Sequence, residues 1–375
     1  MRKDQDKIRG SLIGGAAGDA LGYAVEFWPE SKIFGYYGKD GITQYQLVNG
    51  AAQISDDTQM TLFTANGLLF ANTRGHMRGI LGPYAAYIAE AYRAWYETQT
   101  GKYSSYMCCD RFFWLSNVPE LYAARAPGNT CMSAIRNGCW GSIGEPANDS
   151  KGCGGVMRVA PIGLYSEDLS MAPLAIDLLG ADTAALTHGH EMGYIPAAML
   201  VHIVRLISGS DGITLKQAVL DGKIAMEMLF PGAEHLPGFL KLIDTAIALS
   251  ESDTDDLTAI HTLGPGWCGD EALAVAVYCA LKYQDDFDRA IRAAVNHGGD
   301  SDSTGAITGN ILGAYLGLSQ IPQKYIDDLE LADVIMEIAD DLYEGCQIDE
   351  YSDFNVRKNK DWLNKYEKAA YHGRK

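Results

Sequence analysis

Apolar side chains along this chain recur at intervals of three and four far more often than at intervals of two. That spacing puts them on one face of a helix, where a strand would need strict alternation. It predicts helices over 8–22, 57–71, 83–98, 129–139, 172–187, 193–207, 214–229, 236–250, 270–283, 286–296, 302–316 and 322–345. ITQYQLV at 42–48 is the one stretch that tempts a strand assignment. DEALAVAVYCALKY at 270–283 is apolar nearly all round, as a helix inside a large bundle would be. Many short helices without clear strand alternation argue for a mostly α fold. No linker-like composition divides the chain and no internal repeat is evident. Residues 1–346 are therefore expected to form one compact multi-helix domain. Residues 347–375 read as a charged C-terminal tail packed on it or extending from it. From Arg357 that tail carries seven Lys/Arg against Asp361 and Glu367, and its expected form is a helix packed by Trp362, Leu363 and Tyr366.

Composition narrows the function. Thirty Lys and Arg against 48 Asp and Glu give a net charge of −18. Such a field repels phosphate backbones, so no nucleic-acid surface is expected. Eight cysteines contain no CxxC pair, which gives zinc-ribbon and thioredoxin readings no support and fits buried thiols in a reducing compartment. Asp4 and Asp6 spoil a basic leader, and no run of about 18 uninterrupted apolar residues occurs. The expectation is a soluble, cytoplasmic protein with no membrane partner.

The candidate chemistry sits in two short segments far apart in the chain. Ser55-Asp56-Asp57-Thr58 precedes the helical run QMTLFTANGLLF. Gly298-Gly299-Asp300-Ser301-Asp302-Ser303-Thr304-Gly305 precedes AITGNILGAYLG. One Ser, Asp or Thr suffices to cap a helix, yet each segment spends three or four. Adjacent carboxylates repel unless something positive separates them. A hard divalent cation would do so, since carboxylates and hydroxyls form an oxygen-only set suited to Mg²⁺, Mn²⁺ or Ca²⁺ and not to zinc. Helix caps and solvated turns are the competing explanation. An EF-hand reading of the second segment fails because its twelfth position is Ile311. His188-Gly189-His190-Glu191 resembles a zinc motif, but HExxH fails at Tyr194. Gly152-Cys153-Gly154-Gly155 matches neither a P-loop nor GxGxxG, although its backbone could approach a phosphate closely. A Cys153 nucleophile paired with His188 or His297 has no spacing rule behind it.

Six blocks in order, GSLIGGAAGDALGYAVEF at 10–27, SDDTQMTL at 55–62, KGCGGVMRVAPIG at 151–163, THGHEMGY at 187–194, GWCGDEALAVAVY at 266–278 and NHGGDSDSTGAITGNILGAYLG at 296–317, resemble the ADP-ribosylglycohydrolase family. That family includes the dinitrogenase-reductase-activating glycohydrolase and the J-type crystallins. The resemblance implies an all-α fold and two divalent cations, Mg²⁺ or Mn²⁺. Their implied ligands are Ser55, Asp56, Asp57, Asp300, Asp302 and Ser303, with Asp302 bridging. It implies that Glu26 faces the metals as a base or gate, making Glu26, Asp56 and Asp302 the candidate catalytic residues. Gly152, Cys153, Gly154, Gly155, Val156 and His188 would line the ADP-ribose site. Trp267 falls beside the cleft; Tyr103, Tyr106, Tyr122 and Tyr194 are eligible to stack on adenine. The implied partner is a mono-ADP-ribosylated protein, arginine-linked before serine-linked, or an ADP-ribose derivative. A non-catalytic, crystallin-like relative and a phosphohydrolase that cuts the pyrophosphate are the alternatives.

Overall fold

A computed structural model of the protein describes residues 3–103, 112–209 and 212–368. Tyr106, Cys108 and Cys109 lie outside the described residues. The described residues form sixteen α-helices and one two-stranded antiparallel ribbon. The fold is all-α, as the resemblance implies and in keeping with the mostly α reading of the apolar spacing.

The ribbon pairs β1 (Leu47–Val48) with β2 (Ala51–Ala52). Asn49 and Gly50 turn the chain between them, both with positive φ, as a two-residue hairpin loop requires. The tempting segment 42–48 is thus strand only at its last two residues.

Two helices fix the centre of the molecule. The first, α1 (Gln5–Tyr23), is capped by Asp4, whose side chain accepts from the amides of Asp6 and Lys7. The other, α14 (Ser301–Leu316), runs antiparallel against it. A Cβ added at Gly10, Gly14, Gly18 or Gly22 would stand 2.4, 2.5, 2.0 or 2.2 Å from the carbonyl oxygens of Gly313, Gly309, Gly305 and Ser301 respectively. The two backbones therefore touch at four positions spread over more than three turns, which accounts for part of the high glycine content. The end of α1 comes to rest beside the start of α14.

Other helices enclose this pair. The helix α3 (Asp56–Arg78) begins at the N-cap Ser55, whose hydroxyl accepts from the Asp57 amide, and ends at Gly79 in the left-handed region. α8 (Glu191–Gly209) and α12 (Gly269–Lys282) pack against α14, α7 (Pro173–Ala185) packs on α8, and Leu273 to Ala280 of α12 are wholly or almost wholly buried. α8 is long and apolar enough to cross a bilayer, but 89% of its apolar window is buried inside the protein. The predicted helix over 322–345 is interrupted. A short 3₁₀ turn covers Gln323–Tyr325, Leu331 takes a left-handed conformation, and a helix resumes only over Ala332–Glu344. Helices at Glu30–Tyr37, Ala160–Leu164 and Asp256–Leu263 went unpredicted, being too short to show a full apolar period. Near the C-terminus, the helix Arg357–Tyr366 buries Trp362, Leu363 and Tyr366. Its Lys365 ammonium meets Glu337 and Asp341, each at 2.7 Å.

Candidate active site

Five carboxylates from three parts of the chain line one cavity of about 190 Å³. Glu26 follows the last turn of α1; Asp56 and Asp57 open α3; Asp300 and Asp302 cap and open α14. One carboxylate oxygen each of Glu26, Asp300 and Asp302 lies within 4.8 Å of the other two. The glycine contact between α1 and α14 is what brings Glu26 to that pair.

The first segment is held in place by a residue that the sequence reading passed over. Asp19, wholly buried in α1, accepts the Ser55 amide with both oxygens at 3.0 Å. Its Oδ2 also accepts the Thr58 amide at 3.1 Å and the Thr58 hydroxyl. Asp56 Oδ2 accepts the Gly128 amide at 3.2 Å. In the second segment the Asp300 amide donates to Pro265 O at 2.8 Å, and Asp302 Oδ1 accepts the Ser303 amide at 3.0 Å. His297 shapes this turn: its Nδ1 accepts the Gly299 amide at 3.1 Å, and its Nε2 lies 3.0 Å from the Thr304 hydroxyl. His297 is therefore a structural residue of the turn, with both ring nitrogens engaged there and not by Cys153.

Among the described residues no Lys or Arg lines the cavity. Burial first, then the neighbouring Asp302, raises the carboxyl groups of Asp56, Asp57 and Asp300 well above their ordinary range. Burial, then Asp302, Asp300 and Asp56, pushes Glu26 up to about 10. Glu26 Oε2 and Asp57 Oδ2 are buried without a hydrogen-bond partner among the described residues. Unpartnered carboxylate oxygens in an oxygen-only donor set fit a hard divalent cation. Ser55 lies outside the cavity lining, fully buried, with its hydroxyl placed to stabilise charged Asp302. Ser303 lines the cavity.

The Gly-rich segment forms the opposite wall. Gly152, Cys153 and Gly154 line the cavity with His188. The Cys153 amide donates to Trp267 O at 3.1 Å, and its thiol donates to Asp300 Oδ2 at 2.7 Å. Burial and Asp300 raise that thiol well above its ordinary range, which removes the thiolate a cysteine nucleophile needs. Gly155 and Val156 do not face the cavity. A Cβ on Gly155 would meet Gly193 O at 2.5 Å, and Val156 is buried against Gly269. They support the loop from beneath.

His188 and His190 do not converge. His188 Nδ1 lies 2.8 Å from the Thr187 hydroxyl, whereas His190 packs against the His235 ring. Of the aromatic candidates, Tyr103 and Tyr122 pack on each other and Tyr194 is buried against Phe230. Trp267 alone among the described aromatic residues lines the cavity, 42% exposed and stacked on Phe27. A larger cavity of about 330 Å³ lies elsewhere, between Asp255, Asp256, Arg289 and Arg292, where both signs of charge face each other.

Known proteins resemble this chain in sequence and in fold. The sequence profile of a family described as ADP-ribosylglycohydrolase matches residues 1–351. ADP-ribosylhydrolase ARH3 of Homo sapiens is 27% identical over 202 residues, 48% of this chain and 54% of that protein. The chain thus spans about half the length of the first curated relatives it matches. ADP-ribosylarginine hydrolase Tri1 of Serratia proteamaculans (strain 568) is 26% identical over 340 residues, 90% of this chain and 79% of that one. A solved structure described as an ADP-ribosylglycohydrolase-related protein complex superposes with a TM-score of 0.59 at 24% identity. It covers 91% of this chain and 98% of its own, a likeness of fold.

Proposed function

The chain belongs to the ADP-ribosylglycohydrolase family, and from that premise we propose that it hydrolyses the glycosidic bond between ADP-ribose and a modified arginine side chain, using two divalent cations, Mg²⁺ or Mn²⁺. The observation that carries the proposal is the meeting of Asp56 and Asp57 with Asp300 and Asp302 at one cavity that also takes in Glu26. Helix caps alone give no reason for segments so distant in sequence to crowd their charges together.

Asp56, Asp57, Asp300 and Asp302, with the hydroxyls of Ser55 and Ser303, would hold the two cations. When bound, such ions supply the positive charge that orients the ribose 2″ and 3″ hydroxyls and a water against C1″. Asp19 keeps Ser55 to Thr58 in register for that task. Glu26, with its free Oε2, is the candidate to take the water's proton once bound cations offset the neighbouring carboxylate charges that otherwise hold its carboxyl protonated. The remaining carboxylates favour the positive charge that develops on the ribose. Water oxygen joins C1″ as the C1″–N bond breaks. The guanidine leaves neutral and then takes up a proton, so the products are ADP-ribose and free arginine. Gly152 and Gly154 leave room for the pyrophosphate to approach the backbone. Trp267, half-exposed at the rim, is the nearest aromatic surface for adenine or the acceptor.

The test is incubation with an ADP-ribosylarginine peptide, with Mg²⁺ or Mn²⁺ and again in excess chelator, followed by mass spectrometry of the products. Metal-dependent release of ADP-ribose is expected. AMP in its place would mean that the pyrophosphate is cut. Full activity in chelator, with no metal found by elemental analysis, would overturn the two-cation reading.

A further inference from the structure

Arg158 is wholly buried, and no carboxylate among the described residues pairs with it. A buried guanidinium without an anion is costly, so its remaining contacts need a reason. Its Nη1 reaches Met60 Sδ at 3.6 Å and Cys131 Sγ at 3.3 Å, and its plane lies over the Tyr92 ring. Its Nη2 donates to Thr183 O at 3.3 Å and, much closer, to Thr187 Oγ1 at 2.6 Å.

That last bond sets the direction of a chain of hydrogen bonds. A guanidinium can only donate, so the Thr187 oxygen accepts and its own hydrogen must go elsewhere. Ala184 O is 3.4 Å away and already accepts the amides of Thr187, at 3.1 Å, and His188, at 2.9 Å. Both of its lone pairs are taken. The nearby Cys131 sulfur is a weak acceptor. His188 Nδ1, at 2.8 Å, is the remaining good acceptor. Nδ1 then carries no proton, and the ring hydrogen sits on Nε2. Among the described residues Nε2 has no hydrogen-bond partner, and His188 lines the cavity. A Cβ on either Gly152 or Gly154 would stand 3.3 Å from that nitrogen.

We infer that Arg158 and Thr187 are positioning residues that fix His188 as a neutral Nε2–H donor to an oxygen of the bound substrate beside Gly152 and Gly154. The inference rests on the proposed function for the identity of that substrate, ADP-ribose. Neutrality suits the site. A charged imidazolium here would compete with cations for the carboxylates, whereas a neutral ring offers a directed hydrogen bond and no charge. Burial and the Arg158 charge together lower the His188 ring to about 3, so it stays neutral at working pH.

Thr187→Val removes the hydroxyl at nearly constant shape, and Thr187→Ser restores it. Two readouts are needed: the ¹⁵N spectrum of histidine-labelled full-length protein, and calorimetric titration with ADP-ribose in Mg²⁺. The wild type and Thr187→Ser should show a pyridine-like Nδ1 and a protonated Nε2 at His188. Thr187→Val should lose that preference and bind ADP-ribose about tenfold more weakly, the worth of one hydrogen bond. Arg158→Met should reproduce the Thr187→Val result where it folds; the Thr187 pair decides the matter if it does not. A proton on Nδ1 in the wild type overturns the relay, as does a Thr187→Val protein unchanged in both spectrum and affinity. A wild type that keeps the Nε2–H form yet binds no ADP-ribose overturns the substrate assignment and leaves the relay supported.

Discussion

Asp19 reaches across 36 residues to hold Ser55, each of its carboxylate oxygens 3.0 Å from the Ser55 amide. Burial, then the charge of Asp302, pushes its carboxyl up to about 7, against hydrogen bonds from Thr58 and Ser55 that favour the charged form. Asp19 lies behind the cavity wall and contributes no lining atom. Its effect on any cation would pass through the segment that it orients. Asp19→Asn turns an N–H toward amides that need an acceptor. It should cost about 1–3 kcal/mol of stability and weaken Mn²⁺ binding about 10- to 100-fold. Denaturant melts and calorimetric titration read both quantities, and an unchanged metal affinity would refute the supporting role.

The contact between α1 and α14 makes a paired prediction. A methyl at Gly18 would stand 2.0 Å from the Gly305 carbonyl oxygen, and backbone cannot move aside as a flexible side chain can. Gly18→Ala should cost about 3 kcal/mol or more. By moving the end of α1, it should also separate Glu26 from Asp300 and Asp302 and abolish turnover. Gly238, within the helix Leu236–Ser250, has nothing within 4 Å of such a methyl. Gly238→Ala should instead stabilise the protein by up to about 1 kcal/mol with activity intact. Equal effects in thermal melts would show that the close approach is not what limits position 18.

Much of this was legible in the sequence, and the gaps have physical causes. The helices with long apolar periods were predicted, and SDDT and GGDSDST stood out because each spends more polar residues than a cap needs. Asp19 was hidden because a single carboxylate amid apolar residues only interrupts a hydrophobic run; nothing local shows that its partners are the amides of Ser55 and Thr58. Arg158 was hidden for the same reason, since its partner Thr187 is 29 residues away. The helix predicted over 322–345 failed because periodicity does not register Leu331, where one left-handed residue stops a helix.

Asp302→Asn should separate function from folding. The amide oxygen can still accept the Ser303 amide now bound by Asp302 Oδ1 at 3.0 Å. Removing one charge also relieves repulsion on Asp56, Asp57, Asp300 and Glu26, each raised in part by Asp302. The variant should therefore melt no lower than the wild type in chelator. Its release of ADP-ribose should fall at least about a hundredfold, and Mg²⁺ should no longer raise its melting temperature. Retention of half the wild-type rate would remove Asp302 from the catalytic set.

The linkage that is cut gives the last prediction: arginine should be preferred to serine. A guanidinium leaving group can depart as neutral guanidine, whereas a serine oxygen must gain a proton or a cation as it leaves. Among the described residues the cavity holds no Lys or Arg to serve that need, its raised carboxyl groups would give up their protons to bound cations, and His188 is held neutral. At the rim, Phe27 and Trp267 are 69% and 42% exposed, with rings 15° from parallel and centroids 6.2 Å apart. Such a surface attracts a planar cation through its ring faces and offers a serine side chain little. The check is a paired assay on arginine- and serine-linked ADP-ribosyl peptides of matched sequence at equal concentration. Arginine-linked peptide should be turned over at least about tenfold faster. Trp267→Ala should raise its KM about fivefold, the worth of one cation–π contact of about 1 kcal/mol, while inhibition by free ADP-ribose stays the same. If inhibition by ADP-ribose weakens in step, Trp267 stacks on adenine and not on the acceptor. Faster release from serine would reverse the preference and would mean that a group supplied with the substrate or the bound cations protonates or holds the leaving oxygen.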